Sequence, residues 1–448
     1  MFVPVTEGGE TTGDGSADAW TGRGPLAPTY EGDFVLQEHL LLECGRTLVR
    51  PTLHYAVYGR LNAARDNVVL VCHALSGSAL VHAWWPELFG KAKAGPSTSI
   101  RSAQDDHISE VFEKNMAEAG PSTAFGANPP HGQRPVHGDP DYVPNSAQDD
   151  KQGSGGIADL RRDCVICVNL LGSCYGSTGP GSIDPETGAV YGPDFPLISI
   201  RDNVRAQARL LDSLEIARLR LAIGGSIGGM QALEWAILYP ERVERAVIIA
   251  VAPLSAMGLA LNHLQRQAIQ GDPDWLEGKY SPEQQPRKGL ALARQIAMLS
   301  YKSAELFTER FGRNPNRNGE DPWALGEHGG GLVGGRFDVA GFLDYQGDRF
   351  LDRFDANAYL AISRTMDTWD PAREYRDTRE AFGRIRAKLI FVGISSDWLF
   401  PAGDVRRLAE SVREAGADAE YREMATDHGH DAFLAEQAEL VRLLHLPG

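Results

Sequence analysis

Long apolar runs, basic clusters and cysteine pairs are all scarce in this chain, and each shortage removes a class of function. No stretch approaches the ~20 consecutive apolar residues that a membrane-crossing helix needs, so no membrane association is expected. Lys and Arg number 44 against 60 Asp and Glu, for a net charge of −16. No basic stretch is dense enough to follow a phosphate backbone, so nucleic acid is not an expected partner. Five cysteines (Cys44, Cys72, Cys164, Cys167 and Cys174) are few and odd in number, which suits a reducing cytoplasm rather than a disulfide framework. Cys164 and Cys167 form a C-x-x-C spacing, but they sit inside the apolar run CVICVNLL, where a strand sends them to opposite faces. The first residues lack the basic-then-apolar order of a secretory signal and are too acidic for a transit peptide.

What is present is a rhythm of short apolar runs separated by helical ones. VVLVCHAL (68–75), CVICVNLL (164–171), LRLAIGGS (219–226), RAVIIAVA (245–252) and KLIFVGIS (388–395) read as buried strands. Their alternation with amphipathic stretches predicts an α/β fold, a mostly parallel central sheet with helices on both faces. Two segments break the rhythm. Residues 91–157 are polar, repeat the words GPST and SAQDD, and have the composition of a disordered insertion, with one short helix expected near 108–118. Residues 254–385 contain helical patterns only, divided by the Gly-rich patch GEHGGGLVGG. The expected organisation is therefore a flexible tail over 1–32, a core domain built from 33–253 and 386–448, and an inserted helical lid over 254–385.

Between the strand-like run ending at Ile223 and the helical run that follows lies Gly224-Gly225-Ser226-Ile227-Gly228. A G-x-S-x-G at a strand-to-helix junction is the sequence form of a nucleophile elbow, in which glycines let a serine sit on a very tight turn. A serine hydroxyl is a weak nucleophile until an oriented imidazole takes its proton. On this architecture the acid and then the histidine follow the serine along the chain. Asp397 stands at the end of the strand KLIFVGIS, and His428 and His430 precede the last helix. The order Ser226, Asp397, His430 makes these three the candidate catalytic set. The backbone N–H of Ile227 is one candidate oxyanion donor and that of Leu75, in the loop after an early strand, is the other. His73, beside that loop, reads as a packing residue. These residues support acyl transfer through a serine ester without naming a substrate.

Longer stretches carry a resemblance. GGSIGGMQALEWA (224–236), LGSCYGSTGPGSIDPETGAVYGPDFP (171–196), RFDANAYL (353–360) and GHDAFL (429–434) together resemble the homoserine O-acetyltransferase family, from about residue 33 to the C-terminus apart from 91–157 and parts of 313–336. The resemblance implies an α/β-hydrolase fold and transfer of an acetyl group from acetyl-CoA to the side-chain hydroxyl of L-homoserine, in methionine biosynthesis. It implies Ser226 as nucleophile, Asp397 as orienting acid and His430 as base, with His428 at a variable position. It further implies Arg294, in GLALARQIAM, on the amino acid carboxylate and Asp431 on its ammonium, an arrangement that suits a zwitterion. Arg266 is the rival for the carboxylate. No metal or redox cofactor is implied, acyl-CoA enters as co-substrate, and a homodimer is expected.

Two positions depart from the family pattern. Ile227 replaces the usual Met after the nucleophile, and Ser76-Gly77-Ser78 replaces Thr-Gly-Asp, removing a carboxylate near the site. A succinyl donor, serine as acceptor (one methylene in a pocket discriminates by only ~1–3 kcal/mol) and a plain serine esterase remain the alternatives.

Overall fold

The computed structural model describes residues 26–89, 156–323 and 335–444. The segment 91–155, with its expected helix, and residues 1–25 lie outside the described residues. Two boundaries differ from expectation. The first strand already begins at Tyr30, because its register against the strand Thr52–Tyr58 runs from Tyr30 opposite Val57 to Val35 opposite Thr52. At the other boundary Ile157 is buried and the Ala158 N–H donates to the Leu88 carbonyl at 2.9 Å, so residues 157 and 158 belong to the core.

An eight-stranded sheet organises the chain. Its strands are β1 (Tyr30–Val35), β4 (Thr52–Tyr58), β5 (Val68–Cys72), β6 (Cys164–Val168), β7 (Leu221–Gly225), β8 (Arg245–Ile249), β9 (Lys388–Ile394) and β10 (Ala419–Met424). The short pair β2 (Leu40–Leu41) and β3 (Thr47–Leu48) stands apart. The spatial order is β1-β4-β6-β5-β7-β8-β9-β10; β1–β4 and β4–β6 are antiparallel and every later pair is parallel. Five-residue strands such as β5, β6 and β7 are buried along their whole length, as parallel strands covered on both faces must be.

Side-chain alternation splits the core in two. Leu70, Ile166, Ile248 and Phe391 face one layer, formed with Val204 and Leu210 of α2 (Ile200–Ser213), Trp235 of α3 (Ile227–Leu238) and Val405 of α10 (Ala402–Glu414). Val69, Val165, Val247 and Val392 face the other, formed with Trp84 of α1 (Val81–Trp84), Phe433 of α11 (Ala432–Ala435) and Leu440 of α12 (Gln437–Leu444). Cys164 joins the first layer and Cys167 the second, so the C-x-x-C pair is split across the sheet.

Between β8 and β9 the chain leaves the sheet as a helical layer: α4 (Ala256–Gln270), α5 (Arg287–Tyr301), α6 (Ala304–Phe311), α7 (Asp338–Leu351) and α8 (Ala356–Asp367). Ser255, Ser303 and Asp355 cap α4, α6 and α8 by accepting the backbone N–H of Gly258, Leu306 and Ala358. α5 packs between α4 and α7. The next helix, α9 (Thr378–Gly383), packs on α10 instead, so the helical layer closes before residue 385 and α9 belongs with the sheet. None of the helices among the described residues is long and apolar enough to cross a membrane.

Candidate active site

Ser226 sits between β7 and α3 with φ 57° and ψ −131°, a region that side-chain-bearing residues seldom occupy and that costs of order 1–3 kcal/mol. The turn is tight because α3 starts hard against the end of β5. A Cβ on Gly228 would collide with the carbonyl oxygen of Cys72, and one on Gly225 would meet the Phe433 ring at 2.5 Å. Only glycine permits either approach. The first contact sets the Ile227 N–H beside the β5 exit loop that holds Leu75. Neither the Ile227 nor the Leu75 N–H donates to a protein acceptor among the described residues, which leaves both available to a developing oxyanion.

The second contact brings in the imidazole. The Phe433 ring lies edge-on to that of His430, with centroids 5.8 Å apart, so one ring packs against both the Gly225 turn and the imidazole. His430 Nδ1 is 2.6 Å from Asp397 Oδ2, and Asp397 Oδ1 accepts the N–H groups of Leu399 and Phe400, each at 2.9 Å. A carboxylate gripped in this way fixes the imidazole tautomer and leaves Nε2 free to act. Burial alone would lower the His430 pKa, but the charge and hydrogen bond of Asp397, with the charge of Asp431, outweigh it and the net shift is upward from 6.5. Ser226 is 5% exposed and His430 3%. A cleft of about 720 Å³ lined by Leu276, Gln285, Arg287 and Lys288 lies on the helical layer and includes none of these residues.

Tyr301, at the end of α5, joins this set to a cation. Its ring centroid is 5.8 Å from that of His430 and 5.5 Å from the Arg294 guanidinium, and Arg294 also lies 5.0 Å over the Phe350 ring. Arg294 is buried, and its Nε has no hydrogen-bond partner. Burial pulls its pKa downward, while nearby Tyr301 and Asp431 oppose that. An unpaired buried guanidinium is costly unless a ligand answers it. Arg266 is already engaged: it pairs with Asp367 at 2.5 Å and donates to Ser363 at 3.3 Å. Asp431 donates its N–H to the Tyr301 carbonyl at 3.1 Å, and its carboxylate is 3.2 Å from Lys302 Nζ, which is also 3.2 Å from His428 Nε2.

Sequence reasoning did not single out Tyr301, Phe350, Lys302 or Arg353. Tyr301 follows Arg294 by roughly two helical turns and so shares its face, a signal the sequence does contain. His73 is buried and hydrogen-bonded at both ring nitrogens, as a packing residue should be. Ser78, at the position of the missing carboxylate, accepts the Leu80 N–H at 3.4 Å and only trims the local turn.

A family model for the α/β hydrolase fold matches residues 154–437. The chain is 42% identical over 398 residues to a homoserine O-acetyltransferase of Symbiobacterium thermophilum, covering 89% of this chain and 88% of that one. It belongs to the homoserine O-acetyltransferase family. A homoserine O-succinyltransferase of Alkalilimnicola ehrlichii is 38% identical over 89% of this chain and 88% of its own length. Among solved structures, a homoserine O-acetyltransferase from Bacillus anthracis shares the fold with a TM-score of 0.70 at 24% identity, over 93% of this chain and 98% of that one.

Proposed function

We propose that the protein is an acetyltransferase working through an acetyl-serine. His430 Nε2 takes the Ser226 hydroxyl proton as Oγ attacks the thioester carbonyl of acetyl-CoA. The Leu75 and Ile227 N–H groups bind the oxyanion, and the CoA thiol leaves with the proton from His430. L-Homoserine then binds with its carboxylate on Arg294 and its ammonium on Asp431. His430 deprotonates the substrate hydroxyl, which attacks the acetyl ester, and Ser226 recovers its proton as O-acetylhomoserine departs. Acyl transfer from a thioester to an alcohol changes no oxidation state, so this cycle calls on no redox cofactor, and two backbone donors replace a Lewis acid at the oxyanion.

The observation that carries the reading is Arg294, a buried cation with an unanswered Nε, joined through Tyr301 to the His430 ring. An esterase needs no such group, whereas an amino acid acceptor does. Acetyl is favoured over succinyl on the same count. The other nearby guanidinium, Arg353, already donates to protein oxygens, which leaves Arg294 for the one carboxylate of homoserine and, among the described residues, no further guanidinium beside it for that of a succinyl group. The free state of all five cysteines accords with a cytoplasmic setting. Exposed Met257, Leu259 and Leu264 on α4 and Leu292 and Leu299 on α5 give the helical layer an apolar surface suited to a homodimer contact.

Intact-mass measurement after exposure to acetyl-CoA or succinyl-CoA, with Ser226→Ala as control, tests the proposal. An acetyl adduct that is lost on adding homoserine, with O-acetylhomoserine appearing, supports it. Free acetate without the O-acetyl amino acid means a hydrolase, and an adduct only from succinyl-CoA means the wrong donor.

A further inference from the structure

Several side chains hold the loop that carries the Leu75 N–H, and one of them, Arg353, comes from the helical layer; Trp84 Nε1 also donates to the Ser78 carbonyl at 2.9 Å. His73 donates from Nδ1 to the Ala74 carbonyl at 2.8 Å and accepts the Leu170 N–H at Nε2 at 3.2 Å. Burial pulls its pKa down to about 4, so it stays neutral and keeps that tautomer near neutral pH. At the other end, Asn169 Oδ1 accepts the Ala79 N–H at 2.6 Å, while its amide donates to the Tyr175 carbonyl. Between them Arg353, just beyond α7, donates from Nη1 to the Ser76 carbonyl at 2.8 Å and to the Tyr175 hydroxyl at 3.0 Å.

Arg353 lies 5.1 Å over the Phe350 ring that Arg294 also covers. The two cations share one ring but differ in what they hold. Arg294 has an unanswered Nε, whereas Arg353 bonds the residue next to Leu75 and a tyrosine of the CYGSTGP loop. A charge-assisted donor on a carbonyl is roughly twice as strong as a neutral one, and a guanidinium fixes direction as well as distance.

We propose that Arg353 is a positioning residue that ties the helical layer to the oxyanion loop, aiming the Leu75 N–H at the oxyanion only while that layer is seated. The inference rests on the acetyl-serine reading above. Its consequence is coupling: the carbonyl next to Leu75 takes its direction from a guanidinium of the helical layer, so the packing of that layer bears on the acylation step.

The test is the rate at which acetyl-CoA acetylates the full-length protein, followed by quenched intact mass, in wild type, Arg353→Gln, Arg353→Lys and Tyr175→Phe. Deleting an oxyanion donor outright costs about 10²–10³ in rate, so misaiming one is expected to cost Arg353→Gln about ten- to a hundredfold. The KM for acetyl-CoA should change little. Arg353→Lys should recover part of the rate, and Tyr175→Phe combined with Arg353→Gln should be less than additive. If Arg353→Gln fails to fold, Arg353→Lys and Tyr175→Phe read the same rate. Acetylation at the wild-type rate in every folded variant overturns the proposal. So does a rise confined to the KM for homoserine, which would put Arg353 in the carboxylate clamp. If wild type itself takes up no acetyl group, the acetyl-serine reading falls instead.

Discussion

His430 and Asp397 meet at 2.6 Å in a buried pocket where the second carboxylate oxygen is already saturated by two backbone N–H groups. The carboxylate therefore has one remaining task, to hold the imidazole. Its field also decides the sign of the histidine's shift, which is upward in spite of burial.

That sign gives a pH prediction. The acylation step needs neutral His430, so kcat/KM for acetyl-CoA should rise with pH and reach half its plateau above pH 6.5. Asp397→Asn removes the larger raising influence and leaves burial opposed only by Asp431, so the midpoint should move downward while the plateau falls by about 10⁴, the usual cost of losing the acid. In stability the sense is the reverse. A folded-state pKa above the unfolded value stabilises below pH 6.5, and that contribution fades as pH rises through the folded value. A pH–rate profile and a pH series of thermal midpoints check both.

Arg294→Met should separate binding from chemistry. Hydrogen bonds to charged groups contribute about 1.5–3 kcal/mol, so the KM for homoserine should rise roughly ten- to a hundredfold, while acetylation by acetyl-CoA proceeds. Because the guanidinium is buried without an ion-pair partner among the described residues, its removal should leave Tm unchanged or raise it. A large fall in Tm would assign Arg294 to structure. Asp431→Asn should likewise raise the KM for homoserine and spare acetylation.

Gly228→Ala is expected to damage fold and activity together. The added methyl would collide with the Cys72 carbonyl, a backbone atom that cannot swing aside. Overpacking of this kind costs about 1–3 kcal/mol, and any relief must separate α3 from the β5 exit loop and so pull Ile227 away from Leu75. A Tm drop with acetylation slowed at least tenfold is the expected outcome.

Much of this was legible in the chain, for identifiable reasons. Ser226 is announced by its immediate neighbours, and the five central strands by unbroken apolar runs, because both are local. Asp397 and His430 are far from Ser226 in sequence but are fixed in order by the fold. β10 escaped notice since its sequence, AEYREM, is charged and half-exposed at the sheet edge. α7 escaped because it follows the Gly-rich patch and mixes Phe342, Tyr345 and Phe350 with acids, so that its apolar face is defined by α5 and by Phe307 and Phe311 of α6 across from it. Arg353 was inside a quoted motif, yet its partners, Ser76 and Tyr175, lie 277 and 178 residues away; nothing local specifies them.

The backbone angles of Ser226 imply that this molecule is sturdier dead than alive. At φ 57° glycine rests without penalty, whereas alanine keeps the serine's discomfort and loses only its oxygen. Two inert variants, Ser226→Gly and Ser226→Ala, should thus melt at different temperatures, the glycine one higher by the equivalent of about 1 kcal/mol or more. Calorimetry on that pair would measure how much robustness the working enzyme forgoes to keep its hydroxyl on a cramped corner.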